Sequence, residues 1–135
     1  LVPDMTKEEA VEKLKAHLAK RGFGDIEVIV SGGYGPTQSP EDSVIVRAAE
    51  STLDKAGIEH GLCPRRAGSW PGVVFTGAPL KMAAGHFGVG RGGGAHAPDE
   101  WLLIESSDPK VAGYEQQAVM FVDYLYEVAR LAKKR

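Results

Sequence analysis

The chain has 135 residues, with 16 Lys and Arg against 18 Asp and Glu and a formal net charge of −2, a balance that excludes a strongly basic nucleic-acid coat and a polyacidic tail. Apolar residues make up 43% and charged residues 25%, near globular averages, which excludes wholesale disorder. One cysteine, Cys63, allows no internal disulfide and fits a reducing, cytoplasmic compartment, and no apolar run approaches the roughly 18 residues of a membrane helix.

The chain opens Leu1-Val2-Pro3-Asp4, which reads as the tail of a β-strand whose beginning is missing. A fragment is the expectation, with a trimmed or processed N-terminus as the plainer alternative. Thr6-Lys7-Glu8-Glu9 is a capping box, the Thr hydroxyl taking the N3 amide while Glu9 reaches back. Val11, Leu14 and Leu18 follow at helical spacing, and Gly22 is placed to end the helix in the left-handed region. Ile26-Glu27-Val28-Ile29-Val30 is a β-branched strand pattern. Ser31–Pro36 is glycine-rich and marks a hinge or domain boundary.

A second helix is predicted from Ser39 as N-cap and Pro40 at N1, with Val44, Ile45, Ala48, Ala49 and Leu53 as its apolar face and Gly57 at its end. Arg65–Pro71 reads as a loop, Val73–Phe75 is too short to assign, and Gly85–Val89 reads as a buried, glycine-rich strand that makes His86 a core histidine. A second loop runs from Arg91 to Glu100, a strand from Trp101 to Glu105, and a last helix from near Asp108-Pro109 to the end. Its apolar stripe is Ala118, Phe121, Val122, Leu125, Val128, Ala129 and Ala132. This order of helices and strands is that of an α/β layered protein.

Two loops could carry chemistry. Gly88–Gly93 spells G-x-G-x-x-G, but a dinucleotide loop needs a helix N-terminus directly after it, and a strand-like run follows instead. The same loop delivers His96 just before Ala97-Pro98. A neutral imidazole so presented suits a metal ligand and equally an ordinary surface histidine, and one imidazole does not make a site. Arg65-Arg66-Ala67-Gly68-Ser69 offers an arginine fork and backbone amides to a carboxylate, or else is a solvated basic loop.

The order Gly85-His86-Phe87-Gly88-Val89-Gly90, glycine loop, Ala95-His96-Ala97-Pro98-Asp99-Glu100, strand, long final helix closely resembles the C-terminal end of the zinc-dependent aminoacylase, acetylornithine deacetylase and succinyl-diaminopimelate desuccinylase family of metallopeptidases. Leu1–Glu9 resembles the last edge of that family's lid, or dimerisation, domain, where a strand reading R-L-V-P-D precedes a capped helix and one more strand. The resemblance covers essentially the whole chain. It implies that residues 1–35 are the end of the lid and 36–135 the C-terminal part of a layered α/β catalytic domain. It also implies a homodimer, one or two zinc ions, and cleavage of N-acyl amino acids or small peptides by metal-activated water.

By the same resemblance, His96 matches the last zinc ligand, and Arg66, Gly68 and Ser69 fall where many members hold the substrate carboxylate. Members often carry a Gly-Gly-Thr/Ser-Asp-like run there, whereas this chain reads Ala67-Gly68-Ser69-Trp70-Pro71. Asp99 stands where Asn is common, and Glu100 matches an acid that braces the loop. The family's first His, bridging Asp, general-base Glu and remaining carboxylate ligands come from an N-terminal half with no counterpart in this sequence. The chain is therefore expected to supply one ligand, no catalytic residue, and no hydrolysis without the N-terminal part of its enzyme. A rival reading from another class is a non-catalytic dimerisation or binding module.

Overall fold

The computed structural model describes residues 1–63 and 68–133. It contains helices α1 (Lys7–Lys20), α2 (Val44–Lys55), α3 (Val73–Thr76) and α4 (Tyr114–Ala132), and strands β1 (Gly92–Gly93) and β2 (Trp101–Leu102). The chain divides into two units, Leu1–Ser39 with Arg65–Ala84, and Pro40–Pro64 with Gly85–Arg135.

In the first unit α1 starts as its capping box dictates. The Thr6 hydroxyl accepts from the Glu9 N–H at 3.1 Å, and the Glu9 carboxylate accepts from the Thr6 N–H at 3.0 Å. Those two bonds satisfy donors that a helix start otherwise leaves orphaned. The Thr6 N–H first, and then the Thr6 hydroxyl, also hold the Glu9 carboxyl below its ordinary pKa. Gly22 ends the helix at φ +83°, a region that costs a side chain but not a glycine. Ile26–Val30 does not form the expected strand: no ladder pairs it among the described residues, and Ile29 is 78% exposed. A β pattern states only which residues suit a pleated surface; without a neighbouring strand there is none to join.

The segment before residue 40 is held to the one that follows the loop. Tyr34 Oη and Ser69 Oγ lie 2.5 Å apart, and Thr37 Oγ1 and Thr76 Oγ1 2.6 Å apart. Ser39 Oγ donates to the Ala84 carbonyl at 2.6 Å and accepts from the Ala84 N–H at 2.8 Å. That clasp corrects the expected helix start. Ser39 spends its hydroxyl on a distant strip of chain, and α2 begins four residues later with Ser43 as its N-cap.

In the second unit α2 packs against α4. Ala48 is the one buried hydrophobic residue among those described, and Thr52 and Glu127 are buried beside it. Gly85–Val89 forms neither a strand nor a buried segment. His86 is exposed, not a core residue. Glycines bring no side chain to a sheet, and the run is held by aromatic contact instead: Phe87 stacks on Tyr124 with centroids 4.4 Å apart and meets Phe121 at 6.3 Å.

β1 and β2 pair antiparallel, Gly92 with Leu102 and Gly93 with Trp101, so the expected strand from Trp101 to Glu105 shortens to two residues. α4 also starts later than expected. The Asp108 carboxylate accepts from the Lys110 N–H at 2.9 Å, Ser106 Oγ accepts from the Asp108 N–H at 3.1 Å, and the Tyr114 N–H goes to the Ile104 carbonyl at 2.9 Å. Such local bonds offer the backbone an alternative to helix, and the helix waits until they are spent.

Candidate functional site

His96 sits in the loop that β1 and β2 close. The loop is built by short backbone bonds: Ala97 N–H to the Gly94 carbonyl at 2.8 Å and Glu100 N–H to the Ala97 carbonyl at 3.1 Å. Gly94 and His96 both take positive φ, +68° and +67°. For histidine that conformation costs about 1 kcal/mol or more, so the surrounding turn is what imposes it. The Glu100 carboxylate accepts from the His96 backbone N–H, with the nitrogen and oxygen 3.4 Å apart. The His96 side chain is exposed and among the described residues its ring has no hydrogen-bond or ion-pair partner.

Several glycines of this stretch leave room that a side chain would fill. A Cβ on Gly92 would come within 2.6 Å of the Trp101 carbonyl oxygen, and one on Gly90 would fall onto the Gln117 side chain. The last two glycines of the G-x-G-x-x-G spelling form β1, and a turn rather than a helix follows them.

The other sequence candidates lie elsewhere. Arg66 falls outside the described residues. Gly68 and Ser69 are exposed and belong to the first unit, whereas His96 belongs to the second; Ser69 shares its hydroxyl with Tyr34. His60 turns Nδ1 to the Ile58 carbonyl at 3.0 Å and Nε2 toward Asp54 at 4.0 Å. Among the described residues no three His, Cys, Asp or Glu side chains gather closely enough to hold a metal ion, so the three or four protein donors that zinc takes in its usual sites are not assembled around His96 within them. No helix among the described residues is long and apolar enough to cross a membrane.

Two clusters escape a reading of the sequence. One is Glu127, 7% exposed between α2 and α4. Its carboxylate accepts from Arg130 Nη2 at 2.6 Å and Nε at 3.1 Å, from Ser51 Oγ at 2.9 Å, and from Lys55 Nζ. The Arg130 bonds first, and then those from Lys55 and Ser51, bring its pKa down to about 2. A cavity of about 350 Å³ opens beside it, lined in part by Thr52, Met120, Asp123 and Tyr126. The sequence signal was present: Ser51 and Lys55 stand four apart on α2 and Glu127 and Arg130 three apart on α4, so each pair shares a helix face. The second cluster is a groove of about 300 Å³ where Arg91, Trp101, Leu103, Ser106, Asp108 and Val111 meet.

Comparison with protein-family models, with curated proteins and with solved structures finds no match for this chain.

Proposed function

We propose that the chain is the C-terminal part of a cytoplasmic, homodimeric zinc-dependent amidohydrolase that cleaves N-acyl amino acids or small peptides, with His96 as one of its metal ligands. The observation that carries this reading is the presentation of His96: a histidine forced into positive φ on an exposed loop, its ring unshared, with Glu100 beside its backbone. Strained, solvent-facing residues of that kind are typical of sites where geometry serves function. In this reading zinc would polarise an amide carbonyl and activate water, and this chain's share is to fix one imidazole and keep its loop in place. The remaining ligands and the general base belong to the N-terminal part of the same enzyme. Gly68 and Ser69, with Arg66, are the proposed carboxylate clamp.

The test is reconstitution. The product of the reading frame upstream of Leu1, combined with this chain, is expected to bind zinc and hydrolyse N-acyl amino acids, and His96→Ala is expected to lose bound metal and at least about a hundredfold in activity. Full metal content and undiminished hydrolysis in His96→Ala overturn the assignment of His96. An upstream frame with no His-x-Asp and Glu-Glu ligand pattern overturns the family reading.

The uncovered apolar side of α4, where Val122 and Leu125 are 51% and 53% exposed, favours a second reading, a non-catalytic assembly module. It predicts metal-independent dimerisation with no hydrolysis after reconstitution.

A further inference from the structure

The groove beside the hairpin holds two opposite charges that do not neutralise each other. Arg91 and Asp108 both line it, yet among the described residues neither is in an ion pair, with the other or with any third group. Both residues are anchored from behind, Arg91 through its backbone alone and Asp108 through backbone and carboxylate. The Arg91 carbonyl accepts from the Leu103 N–H at 2.8 Å, next to the β1–β2 ladder. Asp108 is pinned by Ser106, whose hydroxyl accepts from its N–H and donates to its carbonyl, both at 3.1 Å, and Asp108 Oδ1 accepts from the Lys110 N–H. That leaves Asp108 Oδ2 and the Arg91 guanidinium as the groove's polar groups without a partner. Its remaining walls include Trp101, Leu103 and Val111.

We propose that this groove binds a small zwitterion with an apolar side chain, of the α-amino-acid type, Arg91 taking the carboxylate and Asp108 the ammonium. The charge pattern selects the class. A simple anion meets Asp108 as a like charge and a simple cation meets Arg91 likewise, whereas a molecule carrying both charges satisfies both groups. The apolar walls then take the side chain, and the volume stands at the small end of ligand sites. The inference rests on the groove alone and not on the amidohydrolase reading, whose test runs through His96.

The experiment titrates L-leucine into the full, ¹⁵N-labelled chain and follows the indole N–H of Trp101, a wall of the groove. N-acetyl-L-leucine, which lacks the ammonium, and isopentylamine, which lacks the carboxylate, are titrated in parallel. A saturable Trp101 shift with leucine is expected, with each truncated probe binding about tenfold more weakly. Asp108→Asn keeps an oxygen for the Lys110 N–H and is expected to weaken leucine about tenfold while tightening N-acetyl-leucine, which is relieved of a like charge. Arg91→Gln is expected to weaken both acids, and Arg91→Lys, which keeps the charge and the fold, to restore part of the binding. The proposal is overturned if leucine gives no saturable shift, if N-acetyl-leucine binds as tightly as leucine, or if Asp108→Asn has no effect on leucine.

Discussion

The most heavily engaged side chain of the second unit is an acid that periodicity would place on a helix surface. Glu127 joins α4 to α2 because three donors on two helices converge on one carboxylate, and a charge removed from water needs such partners. Its depressed pKa fixes the sign of a pH effect. The group ordinarily titrates near 4.5 and here near 2, so the folded form holds its proton less tightly than the unfolded chain. The stability it contributes is complete above the ordinary carboxylate range and disappears as pH falls through about 2. Melting temperatures measured from pH 7 down to 2 are expected to stay level and then to fall below about pH 5, with Glu127→Gln lowering the neutral-pH value and flattening the acid limb at its foot. An unchanged acid limb in that variant would count against the carboxylate as the link between the helices. Thr6 makes a second residue-scale case. Thr6→Ala removes the acceptor for the Glu9 N–H and is expected to cost α1 about 1 kcal/mol, read as faster amide exchange over residues 7–10 with little change in α2 or α4.

At the scale of elements, the features legible in the sequence were those decided within a few residues. The Thr6 box, Gly22 and the short reach from Gly94 to Glu100 depend on neighbours along the chain, and their residue types announce them. Ser39 was misread because its partner, Ala84, lies 45 residues away. The strand pattern at 26–30 was misread because pairing is a property of two segments, and sequence displays only one. The face of α4 is the most instructive case. Its apolar stripe at 118, 121, 122, 125, 128, 129 and 132 is exposed at every position but Val128, while the more protected line runs through Gln117, Met120, Tyr124, Glu127 and Leu131. Both lines have helical period, so spacing alone could not say which one faces α2. The loop carrying His96 was legible as a glycine-rich presentation of an imidazole; the Arg91–Asp108 groove was not, because it needs the hairpin closed. That closure rests on the missing side chain at Gly92. Gly92→Val is expected to push the Trp101 carbonyl away and cost about 1–3 kcal/mol locally. The readout is loss of the cross-strand contact between residues 93 and 101 in NMR spectra, with α2–α4 contacts intact.

For the whole molecule, the surface is the telling quantity. The chain exposes 10683 Å², whereas a folded monomer of its mass exposes about 6,800 Å² and even two separate globular bodies of the units' sizes about 8,200 Å². The excess is therefore independent of how the units are arranged, and it agrees with a core whose single buried hydrophobic residue, among those described, is Ala48. It exceeds the roughly 800 Å² per partner that a standard interface buries, so a covering surface from outside this chain, whether the rest of an enzyme or a second copy, has ample area to take. Left without one, apolar stripes of this extent promote association. Sedimentation velocity over a concentration series is expected to show the isolated chain moving from monomer to larger species. Val122→Lys with Leu125→Lys, both at exposed positions of α4, is expected to shift it back toward monomer while far-UV circular dichroism stays unchanged. Polar residues there remove only the drive to be covered and not an internal contact, so a loss of helix would mean that α4 uses this side within the chain. A wild-type chain that stays monomeric at every concentration and melts sharply at high temperature would show that it stands alone without a covering partner, and both readings of its function would lose the support that the uncovered surface lends them.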